Sequence, residues 1–308
     1  MINILVTDDI DKEAITKLKS LKFNIVEKHY TKDILGEKLK NFDVVITRAS
    51  TPITKDIIDK ACETKRLKLI LRAGVGVDNI DIDYANKNNI QVVNTPLASS
   101  VSVAELTIGQ IITIARFINH SNVSMRHGEW NKKYYKGIEI NGKTLGIVGL
   151  GRIGKRVAQR AYSLGMNVIY YDILGKMDGY EEFKFCSMEE LLENSDFITL
   201  HIPYDPSKGY LITENEINKM KDGVYFINYA RGGLVKEADL IKALENGKIT
   251  AVALDVFEKE PTQNMELINH PRVSCTPHIG ASTKEAQQKI GKEIVTILVD
   301  YFYKNKEE

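Results

Sequence analysis

The chain has 308 residues, of which 43% are hydrophobic, and its 42 Lys+Arg against 41 Asp+Glu give a formal net charge of +1. This length predicts two domains, and the near-zero net charge argues against a general nucleic-acid binder. No apolar run reaches the roughly 18 residues of a membrane span, and the acidic start at Asp8 and Asp9 is unlike a signal peptide. The three cysteines are far apart and form no CxxC pair. This argues against disulfides and a metal site and favours a reducing cytosol.

Short apolar runs alternate with helical patterns through the first hundred residues. Strands are predicted at Ile2–Asp8, FNIVEKH, Val44–Arg48, Leu67–Ala73 and Gln91–Asn94, with helices between them that include Thr54–Glu63. Continuous apolar runs, rather than strict alternation, are typical of buried parallel strands. Repeated βα units with right-handed crossovers therefore predict a parallel sheet.

One long helix is predicted next, over residues 102–126. Its apolar residues cover much of the helix circumference, so we expect more than one surface to bury it. A second βα series then begins at Lys143–Gly149, with strands at NVIYYD, FITLH, VYFINY, ITAVALDV and VSCTP, and a last helix at Lys284–Lys304. The two series predict an α/β protein with two doubly wound parallel-sheet domains.

A glycine-rich turn follows the first strand of the second series. Gly149, Gly151 and Gly154 form GxGxxG between a predicted strand and a predicted helix, and Asp172 ends the next strand. Such glycines permit a tight turn, close approach of a pyrophosphate and close helix packing, and the helix N-terminus favours the phosphate charge. The acid would accept hydrogen bonds from the adenosine ribose and repel a 2′-phosphate, which favours NAD over NADP, although Lys176 lies nearby. The alternative is a purely structural turn.

Three further strand ends carry residues suited to acid–base chemistry. Of six histidines, His278 alone lies at a predicted strand end in a Pro-His-Ile-Gly turn, and histidine titrates near working pH. Arg231 follows another strand, and its guanidinium could bind a substrate carboxylate through two parallel hydrogen bonds. Glu258 and Glu260 follow a third, and either carboxylate could orient an imidazole. Singly, each of these residues could also be an ordinary loop side chain.

These residues lie within motifs that resemble the D-2-hydroxyacid dehydrogenase family. The resemblance covers nearly the whole chain, through RAGVGVDNID, NTPLASSVSVAELTIG, GKTLGIVGLGRIG, ARGG, ALDVFEKEP and TPHIGASTKEAQ in the family's order. It implies that Arg231 binds the substrate, that Glu260 pairs with His278, and that His278 carries the proton. It also implies Rossmann-like domains, with an NAD domain (98–281) inserted into a substrate-binding domain (1–97 and 282–308).

The resemblance further implies contacts to cofactor and substrate. The NAD contacts are expected from Val75, Gly149, Gly151, Arg152, Ile153, Gly154, Asp172, His201, Ile202, Pro203, Tyr229, Ala230, Arg231, Asp255, His278 and Gly280. The substrate contacts are expected from Arg48, Arg72, Ala73, Gly74, Val75, Gly76, Lys132, Lys133, Arg231 and His278. The turn Ala73–Asn79 offers backbone N–H groups for the substrate carboxylate, and any one of Arg48, Arg72, Lys132 and Lys133 could instead be an ordinary surface cation. Val75 stands where many family members have threonine or isoleucine, so one cofactor hydrogen bond from that side chain is expected to be lost or altered. Tyr229 stands where a smaller residue is usual, and its backbone carbonyl could still hold the nicotinamide amide.

Within the family, NTP…SVAELT, GEWNKK and GASTKEAQ are most similar to members that oxidise 3-phospho-D-glycerate. Lys132 and Lys133 would then reach the site of a partner subunit, in a homodimer formed through the 102–126 helix. A C-terminal regulatory domain of the kind found in long members is not expected. The alternatives are a reductase of hydroxypyruvate, glyoxylate or another small 2-oxo acid and, from another class, an NAD-sensing corepressor-like protein. We expect a cytoplasmic enzyme that binds neither nucleic acid nor membrane.

Overall fold

The computed structural model describes residues 1–304, which form two compact units. The first unit is Met1–Ser99 together with the chain from Ala281 onward, and the second is Ser100–Gly280. Residues 305–308, which end the predicted substrate-binding segment 282–308, lie outside the described residues. Each unit is an α/β sandwich around a parallel sheet, so the predicted fold class is confirmed.

The first unit contains a five-stranded parallel sheet in the order β2-β1-β3-β4-β5. Its strands are β1 Asn3–Val6, β2 Asn24–Glu27, β3 Val44–Thr47, β4 Leu69–Arg72 and β5 Gln91–Asn94. Its helices are α1 Lys12–Ser20, α2 Lys32–Leu39, α3 Lys55–Cys62, α4 Ile82–Lys87 and α12 Lys284–Val299, the last followed by a π-helical turn at Asp300–Lys304. Ile4 and Val6 pack with α1 and α12 on one face. Leu5 packs with α2 and α3 on the other, which makes the sheet doubly wound.

The second unit contains a seven-stranded parallel sheet in the order β12-β11-β10-β9-β6-β7-β8. Its strands are β6 Thr144–Val148, β7 Asn167–Tyr171, β8 Lys184–Phe185, β9 Phe197–Leu200, β10 Val224–Asn228, β11 Ile249–Leu254 and β12 Val273–Cys275. Its helices are α5 Ser100–Arg116, α6 Ile118–Arg126, α7 Arg152–Ser163, α8 Met188–Asn194, α9 Glu214–Lys219, α10 Glu237–Glu245 and α11 Met265–Ile268.

The strand order of this sheet reverses at β6. The chain runs outward from β6 to β7 and β8, then crosses over to β9 on the other side of β6. Open α/β sheets bind ligands outside the carboxyl ends of the strands at such a switch point. The glycine-rich turn that follows β6 lies at this point, so the topology puts the expected phosphate turn where a nucleotide binds.

The predicted single helix over 102–126 is wrong. Phe117 adopts a left-handed conformation (φ 55°, ψ 33°), and α5 and α6 are bent by 66° around it. The two parts also differ in burial: α5 buries Val103 and Ile111 in the core, whereas α6 leaves Val123 53% exposed. Among residues 1–304 no single helix has the length and apolar character to cross a membrane, and the bent α5–α6 pair meets that test only when its two parts are joined.

Candidate active site

The glycine-rich turn joins β6 to α7 with the geometry that its spacing predicts. Gly149 has φ +95°, and a Cβ there would lie 2.8 Å from the carbonyl oxygen of His201. A Cβ at Gly154 would overlap the carbonyl oxygen of Gly149, whereas one at Gly151 would meet nothing within 4 Å. Gly151 is the N-cap of α7, has no side chain to cap it, and is followed by Arg152 and Ile153 in the first turn. The turn thus combines close packing with open space at a helix N-terminus, which fits a pyrophosphate.

Asp172 follows β7 beside this turn. Its Oδ2 accepts the N–H of Leu150 at 2.8 Å, and its Oδ1 accepts the N–H of Leu174 at 3.0 Å. Each carboxylate oxygen has a second lone pair, so the acid can still accept a hydroxyl. Asp172 therefore holds the glycine turn in place and keeps acceptor capacity for a ribose.

His201, Ile202 and Pro203 follow β9 on the other side of the turn. Burial lowers the pKa of His201 to about 3, so its imidazole is neutral at physiological pH. Its Nε2 lies 3.1 Å from Thr199 Oγ1, while its buried Nδ1 has no hydrogen-bond partner within residues 1–304. This histidine is consistent with a cofactor contact and is unsuited to carrying a proton near neutral pH.

His278 and Glu260 form a hydrogen-bonded pair. The Nδ1–H of His278 donates to Glu260 Oε2 at 2.6 Å, and the two side chains are 39% and 35% exposed. Burial by itself would raise the pKa of Glu260, but the hydrogen bond and charge of His278, the N–H of Phe257 and the charge of Arg231 together lower it. The carboxylate is thus ionised, and it leaves Nε2 of His278 to exchange a proton. Glu258, the alternative acid, instead accepts the N–H of Glu237 at 2.9 Å.

The loop that carries His278 is held by a buried acid, Asp255, which is 2% exposed at the end of β11. Its Oδ1 accepts Thr276 Oγ1 at 2.6 Å and the N–H of Ile279 at 2.8 Å, and its Oδ2 accepts the N–H of Gly280 at 2.7 Å. Burial raises the pKa of Asp255 despite these three donors. The loop bends so sharply that His278 has φ +52°, a conformation that favours glycine and that these contacts stabilise.

Arg231 follows β10 in a turn whose backbone is held by the side chain of Asn228. Asn228 Nδ2 donates to the carbonyl oxygen of Arg231 at 2.8 Å, and its Oδ1 accepts the N–H of Ala230 at 3.1 Å. The guanidinium of Arg231 donates to the carbonyl oxygen of Ala230 at 2.6 Å. The preceding Tyr229 points its ring into the core under α5, and burial raises the pKa of its hydroxyl.

The first unit carries two of the other predicted cations, Arg48 and Arg72. Arg48 follows β3, where its backbone N–H donates to Asp8 Oδ2 at 2.8 Å and its Nη1 donates to the carbonyl oxygen of Asp9 at 3.2 Å. It borders a cavity of about 440 Å³ whose lining also includes Lys12 and Lys284. Sequence reasoning missed Asp8, although an acid directly after a buried strand was a usable signal.

Arg72 ends β4, and its Nη1 donates to the carbonyl oxygen of Ala73 at 3.0 Å. In the turn that follows, the N–H of Ala73 donates to the carbonyl oxygen of Thr47 at 2.8 Å and that of Gly74 to the carbonyl oxygen of Arg72 at 2.9 Å. The fold therefore engages the N–H groups of Ala73 and Gly74, and anion binding by the backbone of this turn remains a prediction.

The described structure thus brings Arg231, Glu260 and His278 together at the carboxyl ends of β10, β11 and β12. Lys132 and Lys133 lie in an exposed 3₁₀ turn of the same unit. Sequence reasoning also missed Glu237, a buried acid 8% exposed that contacts the segment carrying Glu260. Its place as an acid in the first turn of α10 was its only local signal.

Comparison with known proteins links this geometry to one family. Residues 108–280 match the model described as D-isomer specific 2-hydroxyacid dehydrogenase, NAD binding domain. The chain is 46% identical to the D-3-phosphoglycerate dehydrogenase of Methanocaldococcus jannaschii, over 94% of this chain and 56% of that protein. It is 43% identical to the hydroxypyruvate reductase of Thermotoga maritima, over 94% of this chain and 95% of that protein.

Solved structures agree with these sequence relatives. The structure of D-lactate dehydrogenase from Aquifex aeolicus, complexed with NAD and lactic acid, superposes with a TM-score of 0.86 at 31% identity, over 99% of this chain and 96% of that one. The chain spans just over half the length of the D-3-phosphoglycerate dehydrogenases that it matches, 56% in Methanocaldococcus jannaschii and in Bacillus subtilis.

Proposed function

Because this chain belongs to the D-isomer specific 2-hydroxyacid dehydrogenase family, we propose that it oxidises 3-phospho-D-glycerate to 3-phosphohydroxypyruvate with NAD, the first step of serine biosynthesis. The observation that carries the reaction class is the 2.6 Å contact of His278 with Glu260 beside the charge of Arg231, in the unit that matches the family's NAD-binding domain. The cytosol is its proposed location, consistent with three free cysteines.

The residues of the pair divide the acid–base work between them. When bound, NAD supplies the hydride acceptor. His278 takes the hydroxyl proton of the substrate on Nε2, because its Nδ1–H is committed to Glu260. The carboxylate of Glu260 stabilises the resulting imidazolium, and Arg231 binds the substrate carboxylate through its planar guanidinium.

Asp172 and the residues around the glycine turn select the cofactor. We assign the adenosine ribose to the free lone pairs of Asp172, since its other acceptor sites hold Leu150 and Leu174. The orphaned Nδ1 of His201 lies beside the same turn and would find a partner in a bound nucleotide. The carboxylate repels a 2′-phosphate, so NAD is preferred to NADP.

The substrate assignment rests on positive charge and on the relatives. Arg48, Lys12 and Lys284 line one cavity of the first unit together with Asp9 and Asp11, so its three cations exceed its two acids and could contact a phosphate. Three further cations, Arg72, Lys132 and Lys133, remain assigned to the phosphorylated substrate, with the lysine pair acting in a partner subunit. Relatives named D-3-phosphoglycerate dehydrogenase from an archaeon, a bacterium and mammals support this choice.

A second candidate is the reduction of hydroxypyruvate or glyoxylate. The Thermotoga maritima relative named hydroxypyruvate reductase is matched over 95% of its own length. A solved glyoxylate reductase from Paecilomyes thermophila superposes with a TM-score of 0.90 at 34% identity, over 99% of this chain and 96% of that one. The same His278–Glu260–Arg231 chemistry serves either direction, so the cations decide between the two.

We propose a homodimer on the exposed apolar residues that extend from α6 to the turn holding Lys132. These residues are Ile118 (46% exposed), Val123 (53%), Met125 (53%), Trp130 (78%) and Tyr134 (80%). Large exposed apolar patches mark interaction sites.

A substrate panel tests the proposal. Initial rates with NAD and NADP are measured on 3-phosphoglycerate, glycerate and lactate, and in reverse on hydroxypyruvate and glyoxylate. We expect NAD-linked turnover of 3-phosphoglycerate to exceed that of glycerate roughly 10–150-fold for each charged hydrogen bond of about 1.5–3 kcal/mol. Equal rates on the two would overturn the phosphate assignment and favour the second candidate, and no turnover of any 2-hydroxy acid would favour a binding protein.

The lysine pair has its own test. The double variant Lys132→Ala/Lys133→Ala should raise KM for 3-phosphoglycerate and leave activity on glycerate unchanged, with Lys136→Ala, an exposed lysine of the same segment, as the matched control. Mixing the double variant with inactive His278→Ala should restore activity in heterodimers. A KM effect without complementation would place the lysines in the site of their own subunit.

A further inference from the structure

A single buried acid, Glu237, holds the segment that carries Glu260 at two points, one on each side of Glu260. This segment, residues 255–264, connects β11 to α11 and is called here the Glu260 loop. Glu237, the first residue of α10, accepts the N–H of Glu258 on Oε1 at 2.8 Å and Asn264 Nδ2 on Oε2 at 2.7 Å. Glu260 lies between these two attachment points. Its position is therefore tied to a side chain 23 residues earlier (260 minus 237) in the chain.

The contact between Glu237 and Glu258 is reciprocal. Glu258 Oε1 accepts the N–H of Glu237 at 2.9 Å. The N-cap of α10, Lys236, makes no side-chain cap, so a carboxylate from the Glu260 loop caps the helix instead. Carboxylates are favoured at helix N-termini because the first N–H groups lack partners and carry partial positive charge.

The turn that carries Arg231 is pressed against the same loop. Arg231 is followed by the 3₁₀ turn Gly232–Leu234, and α10 begins three residues later. A Cβ at Gly232 would overlap the backbone carbonyl of Phe257, so the two backbones pack directly on each other. The chain that runs from the turn of Arg231 into α10 therefore meets the Glu260 loop at two places. Gly232 contacts Phe257, and Glu237 contacts Glu258.

We infer that Glu237 is a positioning residue, which holds Glu260 against His278 and fixes both relative to Arg231. It acts through the backbone of Glu258 and the amide of Asn264 rather than by touching the reacting groups. The inference rests on the proposed dehydrogenase function, in which Glu260 supports His278. It adds a residue to that function that neither its motif nor its position in the sequence indicates.

The first test compares kinetic effects in two backgrounds. Glu237→Ala removes both attachments of the loop, and we expect kcat to fall roughly tenfold, or about 1.4 kcal/mol. Glu237→Gln keeps a carbonyl oxygen for the N–H of Glu258 and should recover most of that loss. If Glu237 acts through Glu260, the Ala substitution will change kcat by less than twofold when Glu260→Ala, which removes the group that holds His278, is already present. Equal effects in the two backgrounds would overturn the inference.

A matched control separates positioning from helix stability. Asp239 lies on the same helix, is 6% exposed and accepts the N–H of Glu214 at 2.9 Å, outside the Glu260 loop. Asp239→Ala should lower the melting temperature as Glu237→Ala does but leave kcat near the wild-type value. If Asp239→Ala lowers kcat as much as Glu237→Ala, Glu237 serves only the stability of α10. Should Glu237→Ala not fold, Glu258→Ala, at an exposed residue, removes the reciprocal half of the contact and is compared with Glu258→Gln.

A spectroscopic readout is independent of turnover. The short hydrogen bond between His278 Nδ1–H and Glu260 gives a downfield proton resonance, assigned by its loss in Glu260→Ala. We expect that resonance to broaden or disappear in Glu237→Ala and to persist in Glu237→Gln and in Asp239→Ala. An unchanged resonance in folded Glu237→Ala would overturn the inference whether or not a substrate is found. Absence of turnover in the wild-type protein would instead count against the proposed function alone.

Discussion

Glu260→Gln isolates the charge of the His278 partner while keeping its shape. The Gln amide oxygen can still accept the Nδ1–H of His278, so the orientation of the ring is retained and only the negative charge is lost. Two unit charges about 4 Å apart near a protein surface attract by about 4 kcal/mol. The side chains of His278 and Glu260 are 39% and 35% exposed. Solvent screening therefore lowers the attraction between their charges toward the range of about 0.2–1 kcal/mol for exposed ion pairs. We take about 1.5 kcal/mol, the lower end for a charged hydrogen bond.

This energy corresponds to roughly a tenfold loss of kcat for oxidation, at 1.4 kcal/mol per factor of ten, because the imidazolium forms as the substrate proton leaves. Initial rates at saturating substrate measure it. The loss should be much smaller than that of His278→Ala, which removes the whole acid–base contribution of about 10²–10⁴-fold. Equal losses in the two variants would refute the reasoning, since Glu260 would then do more than stabilise charge.

The same variant makes a signed prediction for stability against pH. The pKa of Glu260 in the folded protein lies below its usual value of 4.5, so its ionised form contributes stability that is present above that usual value and lost as pH falls through the folded pKa. The melting temperature of Glu260→Gln should therefore lie below that of the wild type at neutral pH, and the difference should vanish in acid. A difference that grows as pH falls below 4.5 would contradict the pairing.

Substitutions of His278, Asp172 and two glycines test the rest of the site. His278→Ala should lower kcat about 10²–10⁴-fold with an unchanged Kd for NAD, measured by fluorescence titration, and near-normal kcat would return this histidine to an ordinary loop role. Asp172→Ala should weaken NAD binding and narrow the preference over NADP, and a wild type that uses both equally would refute the role given to Asp172. Gly154→Ala should abolish NAD binding or folding, because its Cβ overlaps the carbonyl oxygen of Gly149, whereas Gly151→Ala, where a Cβ meets nothing within 4 Å, should remain folded.

The fold class was predictable because its signals are local and repeated. The apolar run VVITR forms β3, whose four residues are all buried. The GxGxxG turn joins β6 to α7, and Asp172 directly follows β7, as the spacing predicts. Each of these patterns is decided by residues close in sequence, so periodicity and turn chemistry suffice to predict it.

The break between α5 and α6 was not predictable from the same signals. Arg116, Phe117 and Ile118 include neither Gly nor Pro, the residues that usually interrupt helices. Phe117 adopts the left-handed conformation with its ring packed near that of Tyr135, the two ring centroids being 6.1 Å apart. A helix interrupted by packing leaves no mark in the pattern of apolar residues.

The choice between Glu258 and Glu260 exposes a different limit. Two acids separated by one lysine follow the same strand, and nothing in their spacing decides which one meets His278 18 residues further on. The structure decides it because Glu258 is drawn to the N-terminus of α10. The partner that makes this choice is 21 residues earlier in the chain, beyond the reach of local reasoning.

Acidic side chains hold three loops of the protein in place by accepting backbone N–H groups. Asp255 accepts the N–H groups of Ile279 and Gly280 beside His278, and Glu237 accepts the N–H of Glu258 beside Glu260. In the first unit, Asp8 likewise accepts the N–H of Arg48. Each anchoring acid accepts backbone N–H groups of the loop, so it fixes the position of the loop and leaves the side chain proposed to meet cofactor or substrate out of the anchoring contact. Because backbone N–H groups are common to all residues, such anchors have no motif, and the sequence shows the acids without showing what they hold.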